Sequence, residues 1–194
     1  MQPGIRLLSD DLVQRVLDEA FQLLLEMGVK VQSPLARELL AAAGVRVDEA
    51  NEIAYLPEGV VRQALSTVPR EFYLYNLAGE AVVRYGGDAV HFDPGSAGVN
   101  ILDADTLEHR PARTPDLVRL LKVAEMLPAY DAQSTAVVCN EVPTEIGDLY
   151  RLYLVLLHSA KPVITGAFST HTGESMYDML ASFSGGRLAL AEKP

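Results

Sequence analysis

Apolar residues return at helical spacing from the start of the chain. Leu12, Val13, Val16, Leu17, Ala20, Phe21 and Leu24 form one stripe, with Ser9 before it as an N-cap, Asp10 and Asp11 in the first turn and Gly28 as a stop. The pattern predicts a helix there. A second is expected at once: Ser33 caps it, Pro34 takes its first position, Leu35, Leu39 and Leu40 give it an inner face, and Gly44 ends it. Residues 53–56 read as a short strand, and a third helix is expected from Pro57 to about Thr67.

From Phe72 the texture shifts to short β-rich runs, FYLYN, AVVRY, AVHF and GVNILD, punctuated by Gly86-Gly87-Asp88 and Asp93-Pro94-Gly95. Two hairpins or a small meander follow from this. Thr114 is then expected to cap, and Pro115 to open, an amphipathic helix through Leu117, Leu120, Leu121, Ala124 and Leu127. Beyond it strands and helices alternate: a strand over 134–139, a helix over 148–159, a strand over 163–168, a helix over 173–183, and a Gly-containing loop to Lys193-Pro194.

The prolines that precede the strands, Pro128, Pro162 and Pro194, stand 34 and then 32 residues apart, about one βα unit. The expected fold class is α/β: a helical extension over 1–70, a β-rich hairpin segment over 71–113, and the first βα units of a TIM-type barrel over 114–194. Parallel strands need neighbours and cover on both faces, so an array that halts before its third strand implies an incomplete barrel. A small α+β protein with an unstructured tail is the alternative.

Composition narrows the partners. With 49% hydrophobic and 22% charged residues, the chain falls in the ordinary globular class. A net charge of −10, spread along the chain, argues against nucleic-acid and anionic-membrane surfaces and is compatible with a cationic ligand or simply with solubility. Cys139 is the single cysteine, so no internal disulfide and no zinc motif can form, and a cytoplasmic location is expected. No apolar stretch is long enough to span a bilayer.

Three stretches of this sequence together resemble one known family. They are LSDDLVQRVLDEAFQLLLEMGVKVQSPLARELLAAAGVRVDEANEIAYLPEGVVRQALSTVPREFYLYN, GGDAVHFDPGSAGVNILDADTLEHRPARTPDLVRLLKVAEMLPAYDAQS and IGDLYRLYLVLLHSAKPVITG. In unbroken order they are similar to the N-terminal half of the trimethylamine methyltransferase family. That resemblance implies a TIM barrel with an N-terminal helical extension, and transfer of a methyl group from a tertiary or quaternary amine to the corrinoid (cobalamin) of a separate protein. It implies methylamine metabolism, including methanogenesis, no cofactor bound directly, and a homo-oligomer when full length. Pyrrolysine, carried by some members, would lie in the half that is absent here, so a half barrel is expected to be inactive by itself.

In a barrel, chemistry sits where strands end and βα loops begin. After the first expected strand come Asn140 and Glu141, an amide and a carboxylate able to hold an ammonium group or orient a substrate carboxylate; a loop leading into the next helix explains them too. After the second come Ser169, Thr170, His171 and Thr172. An imidazole there can protonate a departing tertiary amine, and helix capping is the competing explanation. Asp93, Gly95, Ser96 and Asn100 lie in HFDPGSAGVN, which lacks the strand-to-helix context and the Lys of a phosphate loop, leaving a ligand-facing turn or a plain one.

The remaining chemistry-bearing residues carry less. His91 is expected within a strand, His109 in an exposed turn and His158 on a helix, with no pair at metal-ligand spacing, so no metal is expected. Tyr150 and Tyr153 could furnish a cage for a methylated ammonium or belong to the core. Two other functional readings stand beside the methyltransferase: a non-catalytic folded module for oligomerisation or docking, and an unrelated barrel enzyme.

Overall fold

The computed structural model describes residues 7–192, and the chain divides into two compact units, Met1–Pro69 and Arg70–Pro194. In the first, α1 (Asp10–Glu26) begins where the pattern placed it, with Ser9 Oγ accepting the Leu12 N–H at 3.2 Å. It stops at Gly28, whose φ is +71° and where a Cβ would lie 2.6 Å from the Ala54 carbonyl oxygen, so only glycine fits. A small antiparallel sheet follows, in the order β1 (Val29–Lys30), β3 (Ile53–Tyr55), β2 (Arg46–Asp48). In sequence α2 (Pro34–Ala42) lies between β1 and β2, and α3 (Glu58–Thr67) follows β3.

Arg37 of α2 is the unit's buried charge. Its Nε donates to Glu49 Oε2 at 2.7 Å and its Nη1 to the Val31 and Gln32 carbonyls at 2.8 and 3.0 Å, tying helix to sheet. No residue of α1 is buried within this unit, its apolar stripe included.

The second unit opens with the antiparallel hairpin β4 (Glu71–Tyr75) and β5 (Ala81–Gly86), across which the Phe72 and Tyr85 rings stack at 5.2 Å. AVHF was expected to be a strand and is not one. His91 is instead drawn sideways, with Nδ1 2.9 Å from Asp131 Oδ2 and Nε2 2.7 Å from the Arg84 carbonyl, while Phe92 O accepts the Asp131 N–H at 3.0 Å. The second hairpin pairs β6 (Asn100–Leu102) with β7 (His109–Pro111), so His109 lies in a strand rather than a turn.

Arg110 locks that hairpin to the next helix. Its Nε donates to Asp103 at 2.8 Å, and its two Nη groups grip Asp116 as a fork at 2.8 and 2.9 Å. Asp116 lies in α4 (Thr114–Met126), and Thr114 is the first residue of this helix rather than its cap. The free N–H groups there go to carboxylates: Arg113 N–H to Asp116 at 2.9 Å and Thr114 N–H to Glu141 at 2.7 Å.

A parallel pair then appears, β8 (Gln133–Ser134) beside β9 (Val163–Ile164), joined through α5 (Gly147–His158). Both strands are shorter than the apolar runs that announce them. β9 covers only 133–134; farther along, Gly98 takes over, donating to Ala136 O and accepting from Val138 N–H, both at 2.8 Å, and bridging Val137 in parallel. A Cβ on Gly98 would stand 3.2 Å from Val137 Cγ1, so any larger residue would make the Val137 side chain give by a few tenths of an ångström. Leu117, Leu121, Val137, Cys139, Leu154 and Val155 pack between helices and strands, and Leu152, Leu156 and Met176 join α5 to α6 (Thr170–Phe183).

The loop expected before Lys193 contains a short helix, α7 (Arg187–Glu192), and Lys193-Pro194, with the start of the expected third strand, lie outside the described residues. The fold is thus mixed α/β with small sheets and one parallel pair, and no barrel closes among the described residues.

Candidate functional site

The carboxyl ends of parallel strands collect backbone and side-chain dipoles that strand pairing leaves unused, which is why ligands gather there in α/β folds. In the second unit that end is built by three neighbouring stretches: 93–100, 134–141 and 164–171. Hydroxyls stitch them together. Ser96 Oγ lies 3.1 Å from the Thr135 carbonyl and 3.3 Å from Thr135 Oγ1, which in turn lies 2.9 Å from Thr165 Oγ1. Ser134 Oγ donates to the Gly95 carbonyl, and Asp93 Oδ1 accepts the Gly95 N–H at 2.7 Å, holding the turn in shape. The peptide between Ser96 and Ala97 is cis.

Asn140 stands at the end of the middle stretch. Its Nδ2 faces three carbonyls, Val99 at 2.9 Å, Ala112 at 3.0 Å and Val138 at 3.2 Å, so the amide nitrogen clasps the second hairpin to the strand end. Its Oδ1 has no protein donor among the described residues. Glu141, next along, caps α4 through Thr114. Burial pushes its carboxyl up, but hydrogen bonds from the Thr114 side chain and backbone outweigh that and leave it below the ordinary range, hence ionised.

Thr170 and His171 fall in the first turn of α6 and are exposed. Ser169 caps that turn, its Oγ accepting the Thr172 N–H at 3.1 Å. The fold therefore joins Gly95 and Ser96 to Ser134 and Thr135, clasps Asn140 to the second hairpin and ties Glu141 to α4; no hydrogen bond links the His171 ring to any of them. Asn100 is exposed in β6 with no side-chain hydrogen bond among the described residues. Tyr150 and Tyr153 line an apolar groove of about 240 Å³ with Ile146, Leu149 and Met179. Cys139 is buried, which pushes its thiol up and keeps it protonated.

Sequence reasoning passed over four residues of this end. Thr135 and Thr165 carry the hydroxyl bridge, while Asp148 and Arg151 of α5 are 1% and 2% exposed beneath the loop after β9. Two opposite charges three residues apart within the apolar run GDLYRLYLVLLH were the available signal. Burial pulls the Arg151 pKa down, and the charge of Asp148 opposes the shift.

A separate cavity of about 440 Å³ is lined by Asn76, Glu125, Tyr130, Asp131, Lys161 and their neighbours, just ahead of β8 and β9. Its charged groups are spoken for: Lys161 Nζ donates to the Ala124, Leu127 and Tyr130 carbonyls at 2.9, 2.9 and 2.8 Å, and Glu125 accepts from Ser159 and Ala160. That end of the strands reads as structural. Among the described residues no group of three His, Cys, Asp or Glu could hold a metal ion, and no helix is long and apolar enough to cross a membrane.

A parallel strand pair with polar groups gathered at its carboxyl ends, preceded in sequence by a helical unit and a pair of hairpins, is the architecture; comparison with known proteins supplies the family. The trimethylamine methyltransferase model matches residues 1–194, and the chain belongs to that family. It is 22% identical over 191 residues to trimethylamine methyltransferase MttB of Desulfitobacterium hafniense strain DCB-2, covering 98% of this chain and 38% of that protein. With the glycine betaine methyltransferase of D. hafniense strain Y51 it shares 25% over 193 residues, 99% of this chain and 40% of the relative. Trimethylamine methyltransferase MttB2 of Methanosarcina mazei is 31% identical over 103 residues, half of this chain and 20% of the relative. The chain spans about two fifths of the length of the first two relatives.

Proposed function

We propose that these residues form the N-terminal portion of a cytoplasmic methyltransferase that moves a methyl group from a tertiary or quaternary amine, of the trimethylamine or betaine type, to the corrinoid of a separate protein. The observation that carries this is the unbroken family match over the chain, with relatives named for trimethylamine and for glycine betaine. On this reading β8 and β9 are early strands of a TIM-type barrel, with the 95–98 stretch as their parallel neighbour.

The chemistry then asks little of the protein and much of its geometry. The Co(I) centre of the partner protein supplies the electron pair that forms the new cobalt–carbon bond, and the C–N pair stays on nitrogen, which leaves as a neutral amine. A quaternary substrate needs no proton for this. A neutral tertiary amine does need one, because without it the departing nitrogen would leave as an anion; donating that proton suits an imidazole at the rim, the role assigned to His171 with Thr170 beside it. Glu141, ionised where it caps α4, faces the ammonium charge; Asn140 Oδ1, Asp93, Gly95, Ser96 and Asn100 shape the wall beside it.

The test mixes a protein completed to the length of its relatives with a reduced corrinoid protein and a panel of methylamines and betaines, following the cobalt absorbance. Methyl–cobalt formation with at least one substrate is expected, and none with the 194-residue chain alone. Failure of every substrate overturns the assignment. Turnover by the short chain would refute the half-barrel argument, whereas a native stop after codon 194 would favour a non-catalytic docking module.

A further inference from the structure

We propose that Asp148 and Arg151 are positioning residues that fasten the loop after β9 from below and so aim the rim stretch Ser169–Thr170–His171. The functional half of this statement rests on the methyltransferase reading; the mechanical half does not.

The loop from Thr165 to Ser169 follows a two-residue strand, so the sheet gives it little support. Its Phe168 N–H is not paired within the loop. It donates to Asp148 Oδ2 at 2.9 Å, across to the first turn of α5, where Asp148 is 1% exposed and its Oδ1 accepts the Leu149 N–H at 2.9 Å. A carboxylate at that depth is tolerable because both oxygens are bonded and because it sits at the positive end of a helix. Arg151 lies one turn on, on the same face, and is 2% exposed. Its Nη1 donates to the Thr135 carbonyl at 3.1 Å, and its guanidinium stacks on the Phe168 ring at 5.5 Å.

One helical turn therefore holds three things at once: the β8 stretch through Thr135, the loop backbone through Phe168 N–H, and the loop side chain through the Phe168 ring. Among the described residues no carboxylate lies within ion-pair distance of Arg151, so its burial is compensated by the carbonyl and the ring. Immediately after Phe168 comes Ser169, which caps α6, and then Thr170 and His171. Whatever fixes Phe168 sets where the first turn of α6 stands relative to β8 and Thr135.

The test reads amide hydrogen exchange residue by residue in the 194-residue chain. Asp148→Asn should speed exchange at Phe168 and its loop neighbours about tenfold, while the amides of 152–158 inside α5 keep their rates. Phe168 is 72% exposed, so Phe168→Leu removes the ring from Arg151 and empties no core; it should loosen the same loop and nothing else. Unchanged exchange at 166–170 in Phe168→Leu, or uniform acceleration across the unit in both variants, overturns the proposal. Should Asp148→Asn fail to fold, Phe168→Leu decides alone.

In the completed enzyme Phe168→Leu should raise KM for the amine several-fold with kcat nearly unchanged, as a misplaced rim loop would and general destabilisation would not. A wild-type enzyme that transfers no methyl group refutes the methyltransferase reading and leaves the exchange result to judge the latch.

Discussion

Replacing Asn140 with aspartate changes almost nothing in shape and inverts the polarity at one corner of the candidate site. The native Nδ2 offers two hydrogens to three carbonyls, those of Val99, Ala112 and Val138, at 2.9, 3.0 and 3.2 Å. The Val99 carbonyl also receives the Ala112 N–H at 3.1 Å and the Ala112 carbonyl the Asn140 N–H at 3.0 Å, so neither is orphaned by truncation. Asn140→Ala should therefore cost about 1–2 kcal/mol, two net hydrogen bonds discounted for an exposed residue. Asn140→Asp sets a carboxylate oxygen against the same carbonyls, and should cost about 1 kcal/mol more than alanine at neutral pH.

The aspartate variant carries its own control. Repulsion by the carbonyls raises the folded-state pKa of the new carboxyl above its unfolded value, so protonation stabilises the fold: acidification through that raised pKa turns the group into a donor and restores stability. Urea unfolding followed by far-UV circular dichroism at neutral pH and again at about pH 4, near the carboxyl's own titration range, measures both effects. If Asn140→Asp proves no less stable than Asn140→Ala at pH 7, or if its deficit does not shrink on acidification, the clasp between strand end and hairpin is not what the geometry says.

Other perturbations follow from the same contacts. Lys161→Met removes a cation bonded to three carbonyls at the end of α4 and should cost about 2 kcal/mol in urea unfolding, with the helix content otherwise retained. The hydrogen bond to Asp131, then that to Arg84 O, raises the His91 pKa. Its stabilisation is full below the ordinary histidine value and fades as pH rises through the raised one, so the Tm gap between the native chain and His91→Phe should narrow toward alkaline pH. Arg110, then the Asp105 and Thr106 N–H groups, hold Asp103 down at about 2. That support is present above the ordinary carboxylate range of about 4 and is lost as pH falls toward 2, and Arg110→Met should move this acid transition upward, read by circular dichroism.

How much of this was visible in the chain depends on how local each cause is. Ser9, Ser33, Pro34 and Pro115 act within one turn of their own helices, so those helix starts could be read almost to the residue, whereas α6, expected from 173, starts at Thr170 behind its Ser169 cap. Strand lengths could not. Ser134 to Cys139 is one apolar run, but β9 pairs with only its first part and Gly98, some 40 residues earlier, with its later part. AVHF has strand texture, yet a partner at Asp131 pulls it out of any ladder, and HRP has none, yet pairs with β6.

The site divides the same way. Polar residues after the expected strands could be named from their position, as Asn140, Glu141 and His171 were, and Ser96 from its Gly-containing turn. What they bond to could not: Asn140 meets a hairpin assembled from residues 28 and 41 positions away, and Glu141 caps a helix that precedes it by 27. Asp148 and Arg151 look like the solvated face of a helix until the loop after β9 folds over them.

The most direct measurement of the central claim uses trimethylamine and glycine betaine carrying fully deuterated N-methyl groups, with the protein completed to its relatives' length and a reduced corrinoid partner. Mass spectrometry of the partner's corrinoid should show a methyl group three mass units heavier than normal, in one-to-one proportion with the demethylated amine. Loss of a methyl from the amine without label on cobalt, or no demethylation of any methylated amine offered, would contradict the account.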